Sequence, residues 1–297
     1  MNRIVTNIVN INELTEKPCE KWIEKFNGKD TIDAHKAFLK YGEEYGWLYK
    51  HSNYDLIAWE IENNCFNWQK YSNYVVEYCP DKLDPDKFDW KNYSWLIAKH
   101  LTYKLDPDKY NWKNFSNYIV IYCPEKLDPD KFNWEKESYI VAEYCPDFID
   151  PDKFNWRHSW AVAQYCSDKL DPDKFNWEKD SWAVAQYCPE KLDPDKYNWK
   201  DYSNYVVEYC PDKLNPKKFN WKDTSWAVAK YCPDKIDPKL FNWKKYSFFV
   251  ALFCPDKIDP KRFDWINNVD AISKYCPDKL KLMPRKYKVK INEKNSN

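Results

Sequence analysis

Six Asp-Pro-Asp segments recur along the chain, pairing Asp84 with Asp86, Asp106 with Asp108, Asp128 with Asp130, Asp150 with Asp152, Asp171 with Asp173 and Asp193 with Asp195. Two carboxylates set one residue apart could hold Ca²⁺, a hard cation that takes oxygen ligands. The same residues also suit a cap, because Asp before Pro puts an acceptor at a helix N-cap and a preset φ at the first helical position. In the last three full repeats the second Asp is replaced by Lys217, Lys239 and Lys261. That change would abolish a cation site and cost a capped turn little, so capping is the favoured reading.

Nine of the 11 cysteines fall at a single register: Cys79, Cys123, Cys145, Cys166, Cys188, Cys210, Cys232, Cys254 and Cys276. Leu101 holds the equivalent place in one further unit, which argues for packing rather than metal or redox chemistry. Neighbouring helices stack roughly 8 to 10 Å apart while a disulfide needs Cα atoms about 4.4 to 6.8 Å apart, so successive cysteines should not pair. No C-x-x-C spacing of the kind zinc sites use is present.

An Asn or Asp precedes each of ten regularly spaced tryptophans (Asn67, Asp89, Asn111, Asn133, Asn155, Asn176, Asn198, Asn220, Asn242, Asp264). It reads as a helix-exit residue tolerating left-handed geometry. A base-reading ladder like that of one-base-per-repeat RNA binders is the alternative, although near-identical side chains would carry little code. His35, His51, His100 and His158 share no motif, and the repeats contain no Gly with which to build a phosphate loop. No catalytic residues, metal or cofactor are expected.

The elements that position these residues follow from the period. Trp occurs at 68, 90, 112, 134, 156, 177, 199, 221, 243 and 265, in steps of 22 apart from one step of 21 after Trp156. That period marks stacked supersecondary units, each too small to bury its own apolar face. Aromatic residues make up 19% of the 297 residues, with 17 Trp, 24 Tyr and 3 Gly, a bias far from ordinary globular usage. Two helix starts are expected per unit. The first is Asp-Pro, opening a short helix or 3₁₀ turn that carries Phe or Tyr and then Trp. The second is the Ser at 94, 116, 138 and equivalents, read as the N-cap of about two helical turns that end at Cys-Pro. The third and fourth residues after this Ser are small or β-branched (Val75 and Val76, Ile97 and Ala98, Val184 and Ala185) and the seventh is Cys. They share one helical face and form the expected core, which Leu83, Phe88 and their equivalents complete.

The alternation of a short Pro-started turn, a helix of the form S-W-A-V-A-K-Y and a Cys-Pro break resembles the leucine-rich repeat variant family from Trp68 to about Pro277. The resemblance implies architecture alone, α and 3₁₀ helices alternating in a right-handed superhelix. The expected fold is therefore an all-α tandem-repeat solenoid over residues 47–280, with Trp47 beginning a degenerate eleventh unit. Residues 1–46 are expected to form an N-terminal cap with a strand over Ile4 to Ile11 and a helix around Thr31 to Lys40. Residues 281–297 form a basic tail, either a strand or disordered.

Net charge is zero, but it is unevenly distributed. Residues 1–211 hold 27 basic and 37 acidic side chains, and residues 212–297 hold 20 and 10. The absence of an 18-residue apolar run, and a start interrupted by Asn and Thr, lead to the expectation of a cytoplasmic protein with no membrane segment.

The pair after Ser varies in a coupled way, Asn-Tyr at 73/74, 117/118 and 204/205 but Trp-Ala at 160/161, 182/183 and 226/227. It reads either as compensated packing or as part of a binding surface. The leading functional expectation is a non-catalytic scaffold that binds another protein through Trp95, Trp160, Trp182, Trp226, Lys217, Lys239, Lys261 and Arg262. Recent duplication and a Lys, Asn, Tyr and Asp bias suggest, as a specific version, a phage- or virus-type inhibitor of a host or defence protein. The alternative is a solenoid that binds single-stranded nucleic acid, because aromatics interleave with Lys and the C-terminal end is basic. A sugar-binding aromatic ridge ranks third.

Overall fold

A computed structural model of the chain describes residues 6–10, 31–41 and 46–288. The chain divides into two compact units, Met1–Cys145 and Pro146–Asn297. Both consist mainly of the 22-residue repeat stacked helix on helix, the all-α solenoid architecture.

The first unit starts with a two-stranded antiparallel pair, β1 (Ile8–Asn10) and β2 (Thr31–Asp33), in which Val9 lies opposite Ile32 and both are buried. Helices α1 (Ala34–Tyr41) and α2 (Gly46–Glu62) follow. Trp47 lies within α2, which has 17 residues where the repeat helices have 11. Leu48, Leu56 and Ile57 of α2 join a core with Val75 and Ile97, so the first repeat has an apolar partner on its N-terminal side. The repeat helices of this unit are α3 (Trp68–Tyr78), α4 (Trp90–His100), α5 (Trp112–Tyr122) and α6 (Trp134–Tyr144).

The second unit contains α7 (Ser159–Tyr165), α8 (Trp177–Tyr187), α9 (Trp199–Tyr209), α10 (Trp221–Tyr231), α11 (Trp243–Phe253) and α12 (Trp265–Tyr275). The segment after Pro277 forms a 3₁₀ helix, Pro277–Leu282, and Met283 beyond it is buried. Residues 285–288 of the expected strand or disordered tail are helical, and the rest, from residue 289, lies outside the described residues, as do Ile4 and Ile11 at the two ends of the expected first strand.

Every repeat helix except α7 begins at the ladder Trp and not at Ser. The Asn or Asp before Trp is the N-cap: Asn111 has φ −81° and ψ 72°, and its side chain accepts the N–H of Asn114. This corrects the helix-exit reading of that residue. A side-chain acceptor there satisfies one of the N–H groups that every helix start leaves unbonded. The Ser expected at the N-cap lies mid-helix and buried instead: Ser247 Oγ donates to the carbonyl of Trp243 at 2.6 Å and accepts the backbone N–H of Asp264, in the next repeat, at 2.9 Å.

The 3₁₀ turn also sits elsewhere than expected. It follows the Cys, as in Pro80–Lys82 and Pro211–Lys213, with Pro at its start. Pro both stops the α-helix and opens this turn. The Asp-Pro segment forms a single turn, in which Asp84 Oδ1 accepts the N–H of Asp86 and the Asp84 carbonyl accepts that of Phe88 at 3.0 Å.

The apolar stripe is core as its spacing requires. Val75, Ile97, Val184, Val206, Val228 and Val250 are fully buried, and Phe88, Phe175, Phe219 and Phe263 complete the layer from the turn. Each such side chain contributes about 1.5–3 kcal/mol. A helix of 11 residues is marginal alone in water, so the stacked neighbours hold each repeat in shape.

Candidate functional site

The ladder tryptophans are consumed by the fold. Trp90 Nε1 donates to the Pro85 carbonyl at 2.8 Å and its ring meets Phe88 edge-on at 5.2 Å. The same pair of contacts recurs at Trp134 with Pro129 and Phe132, and at Trp221 with Pro216 and Phe219. The N-cap Asn is fully used as well. Asn220 gives its backbone N–H to Ser203 Oγ at 3.1 Å, accepts the Asp223 N–H on Oδ1 at 3.2 Å, and donates from Nδ2 to the Lys200 carbonyl at 2.8 Å. Asn198 and Asn242 repeat this arrangement. Bonded in this way, Asn198, Asn220 and Asn242 each hold a helix start and a contact with the preceding repeat.

The cysteines are the helix C-caps. Cys188 donates its N–H to the Val184 carbonyl, and its carbonyl accepts the N–H of Lys191. Burial pushes the thiols of Cys79 and Cys188 up to about 12, and those of Cys145, Cys166 and Cys210 to about 11. Among the described residues no group of three or more His, Cys, Asp and Glu could hold a metal ion, and no helix is long and apolar enough to cross a membrane.

Trp95, Trp160, Trp182 and Trp226 occupy one helix position, directly after the buried Ser, and all are half-buried. Three of them meet the aromatic of the next repeat: Trp95 meets Tyr118 at 5.3 Å, Trp182 meets Tyr205 at 6.0 Å and Trp226 meets Phe249 at 5.8 Å. The Trp160 backbone N–H donates to Asp180. A pocket of about 520 Å³ beside Trp95 is lined by Asn73, Glu77, Tyr93, Leu96 and His100. Lys217, Lys239, Lys261 and Arg262 lie on a different element, the turn before the ladder Trp, and are exposed.

The residue immediately before the Cys was not singled out from the sequence, yet at seven of the nine Cys registers it is an exposed aromatic, Tyr78 and Tyr231 being half-buried. Tyr122 and Tyr144 in the first unit, and Tyr165, Tyr187, Tyr209, Phe253 and Tyr275 in the second, are between 41% and 53% exposed. Each is braced from within its own helix where an aromatic stands at one of two places. In Asn-Tyr repeats the ring four residues earlier stacks on it, Tyr118 on Tyr122 and Tyr205 on Tyr209, at 6.0 and 6.1 Å. In Trp-Ala repeats the brace is the Trp five residues earlier, Trp182 for Tyr187 and Trp226 for Tyr231, at 6.2 and 6.4 Å. The coupled Asn-Tyr and Trp-Ala variation therefore keeps one aromatic beneath the outer ring. Lysines lie over several of these rings, Lys230 at 4.4 Å from Tyr231 and Lys274 at 5.0 Å from Tyr275. The sequence signal was present as an aromatic at the Cys − 1 register with a charged or polar residue before it in most repeats.

The 21-residue step is absorbed by a specific exchange. Trp156–His158 forms a 3₁₀ turn, and α7 starts only at Ser159 with no side-chain cap from His158. Asp180 of the next repeat supplies it, accepting from Ser159 Oγ at 2.6 Å and from the Trp160 N–H at 3.2 Å. Burial raises the Asp180 carboxyl above the usual carboxylate range. The residue was therefore lost from a helix start. Outside the repeats, Glu60 is buried in α2, where its carboxylate accepts the Tyr49 hydroxyl and lies 3.3 Å from His35 Nδ1.

No family model, curated protein or solved structure matches this chain.

Proposed function

We propose that the chain is a non-catalytic repeat scaffold that binds another protein, and that the aromatic row before the cysteines of the second unit is its contact surface. The observation that carries this reading is the row itself. A side chain used only for packing would be buried, whereas these rings are held out in solvent at one register and braced beneath. Tyr and Trp offer large rigid contact area at low entropic cost, and an exposed apolar strip of this kind marks an interaction surface. The half-buried Trp182 and Trp226 then act as supports, with part of each ring available to the partner. Inhibition of a host or defence protein by a phage- or virus-type product is a specific form of the proposal, suggested by composition alone.

Affinity capture from the native cell tests it. A stoichiometric protein partner is the expected result, and its repeated absence would remove the proposal.

Single-stranded nucleic acid is the second reading, favoured by lysines lying over Tyr231 and Tyr275. Binding would then fall steeply with rising salt, because phosphate contacts release counterions.

A further inference from the structure

The turn before the ladder Trp carries an ion ladder that reverses sign part-way along the second unit. In its first repeats the second Asp of each turn takes the Lys of the next turn: Lys174 Nζ lies 2.6 Å from Asp152, Lys196 lies 2.6 Å from Asp173, and Lys218 pairs with Asp195. The same ammonium donates to a Pro carbonyl, Lys196 to Pro172 and Lys218 to Pro194. The Lys ammonium holds Asp152, Asp173 and Asp195 below the usual carboxylate range.

At the next step Lys217 stands in the acceptor's place, and the residue in the donor's place is Leu240, itself exposed. At the step after, Lys239 stands in the acceptor's place, and Arg262 turns to Asp259 of its own turn at 3.3 Å. Acceptor and donor thus change together, and the edge is left with Lys217, Lys239 and Lys261 in succession. Among the described residues, none of these three ammonium groups has a carboxylate within ion-pair distance. The carboxylates that remain nearby are engaged: Asp237 and Asp259 accept the backbone N–H groups of Lys239 and Lys261, each at 2.8 Å, and Asn215 stands where the first turn would have carried an Asp.

We infer that this edge docks an acidic polypeptide segment of the partner, carboxylates meeting Lys217, Lys239 and Lys261 while an apolar side chain covers Leu240. The inference rests on the protein-binding reading and supplies the partner's chemistry. A polypeptide fits better than a nucleic acid for two reasons. The exposed aromatics of this unit lie on the α-helices and on a 3₁₀ turn, so this edge offers no surface on which bases would stack. An exposed Leu between cations also suits a partner that alternates carboxylate and apolar groups. Stacked repeats advance roughly 8–10 Å, close to the ~10.5 Å covered by seven residues of an α-helix, so one face of an acidic helix can meet successive lysines.

The test uses the full chain and a variant that rebuilds the ladder of the earlier repeats, Lys217→Asp with Leu240→Lys and Lys239→Asp opposite Arg262. The probe is a fluorescent helical peptide of about 21 residues with Glu at every seventh position, and oligothymidine serves as the comparison. The inference expects saturable peptide binding by the native chain, weakened roughly tenfold or more in the rebuilt variant and by added salt. A melting curve at or above the native one shows that the variant is folded; should it melt lower, the neutral variant Lys217→Gln/Lys239→Gln/Lys261→Gln takes its place. Equal peptide binding by native and variant chains, no binding by either, or tighter binding of oligothymidine at this edge would each overturn the inference. Absence of peptide binding by the native chain with partner capture intact removes only the acidic dock. Failed capture with peptide binding intact removes the aromatic row reading instead.

Discussion

Asn220 and Ser203 join two successive repeats through one part-buried hydrogen bond, the Asn220 backbone N–H donating to Ser203 Oγ at 3.1 Å. The same Asn side chain caps its own helix with one end and reaches the Lys200 carbonyl with the other. One residue therefore fixes both where a helix begins and how it docks on its predecessor. Asp stands in this place at 89 and 264, where the structure shows no bond back to the preceding repeat's carbonyl, and Asn at every position between them.

Replacing Asn220 by Ala should lower stability by about 2 kcal/mol, the loss of an N-cap together with an inter-repeat bond. Asn220→Asp should cost less, because the cap survives and only the donor to Lys200 is lost. Urea unfolding midpoints should rank native above Asp above Ala. An Asp variant less stable than Ala would show that a carboxylate left facing the Lys200 carbonyl costs more than the retained cap returns.

Asp180 should be needed only because the preceding repeat is one residue short. Asp180→Ala leaves the buried Ser159 hydroxyl and the Trp160 N–H without their acceptor, at a cost of about 2–3 kcal/mol. Inserting one residue after Trp156 in that variant restores the 22-residue step and should recover most of the loss in thermal unfolding. No recovery would mean that the shortened turn is not what Asp180 serves.

The buried thiols predict lability at high pH. Below about pH 9 the thiols are protonated in both the folded and unfolded chain and do not affect the balance. Above it the unfolded chain loses protons that the folded chain retains, since Cys79 and Cys188 are pushed up to about 12 and Cys145, Cys166 and Cys210 to about 11. Stability must then fall as pH rises, by up to about 1.4 kcal/mol per pH unit for each such thiol. Circular dichroism should show cooperative unfolding between roughly pH 9.5 and 11, together with abrupt thiol labelling by a disulfide reagent. Retention of the fold and unreactive thiols at pH 11.5 would contradict this.

Much of this fold is legible in the sequence, and the errors have physical causes. The 22-residue step, the buried Val and Ile stripe, the Cys register and the structural use of Trp68 to Trp265 follow from spacing, because core positions must repeat in phase. The helix start was misplaced because Ser and Asn are both favoured N-caps. Only the structure shows Ser203 pointing at Asn220 of the next repeat and Asn220 capping Trp221 onward. Trp95, Trp182 and Trp226 were legible as a varying pair position, but not as braces against the following repeat. Tyr187 and Tyr209 were missed because an invariant aromatic reads as core by default, and solvent exposure depends on where the neighbouring helices lie.

The acidic-segment dock and the aromatic row make separate claims, and the row is the central one. It is tested most directly with Tyr187→Ala/Tyr209→Ala/Tyr275→Ala in the full chain. These rings are less than half exposed and packed on Trp182, Tyr205 and Phe248, so a lowered melting temperature is expected, and circular dichroism checks that the variant is folded at the temperature of the assay. Paired capture from native cells is the measurement, with the native chain expected to retain a stoichiometric protein partner and the triple variant to lose most of it, a drop of roughly tenfold or more. Equal retention of that partner by the folded triple variant would contradict the account.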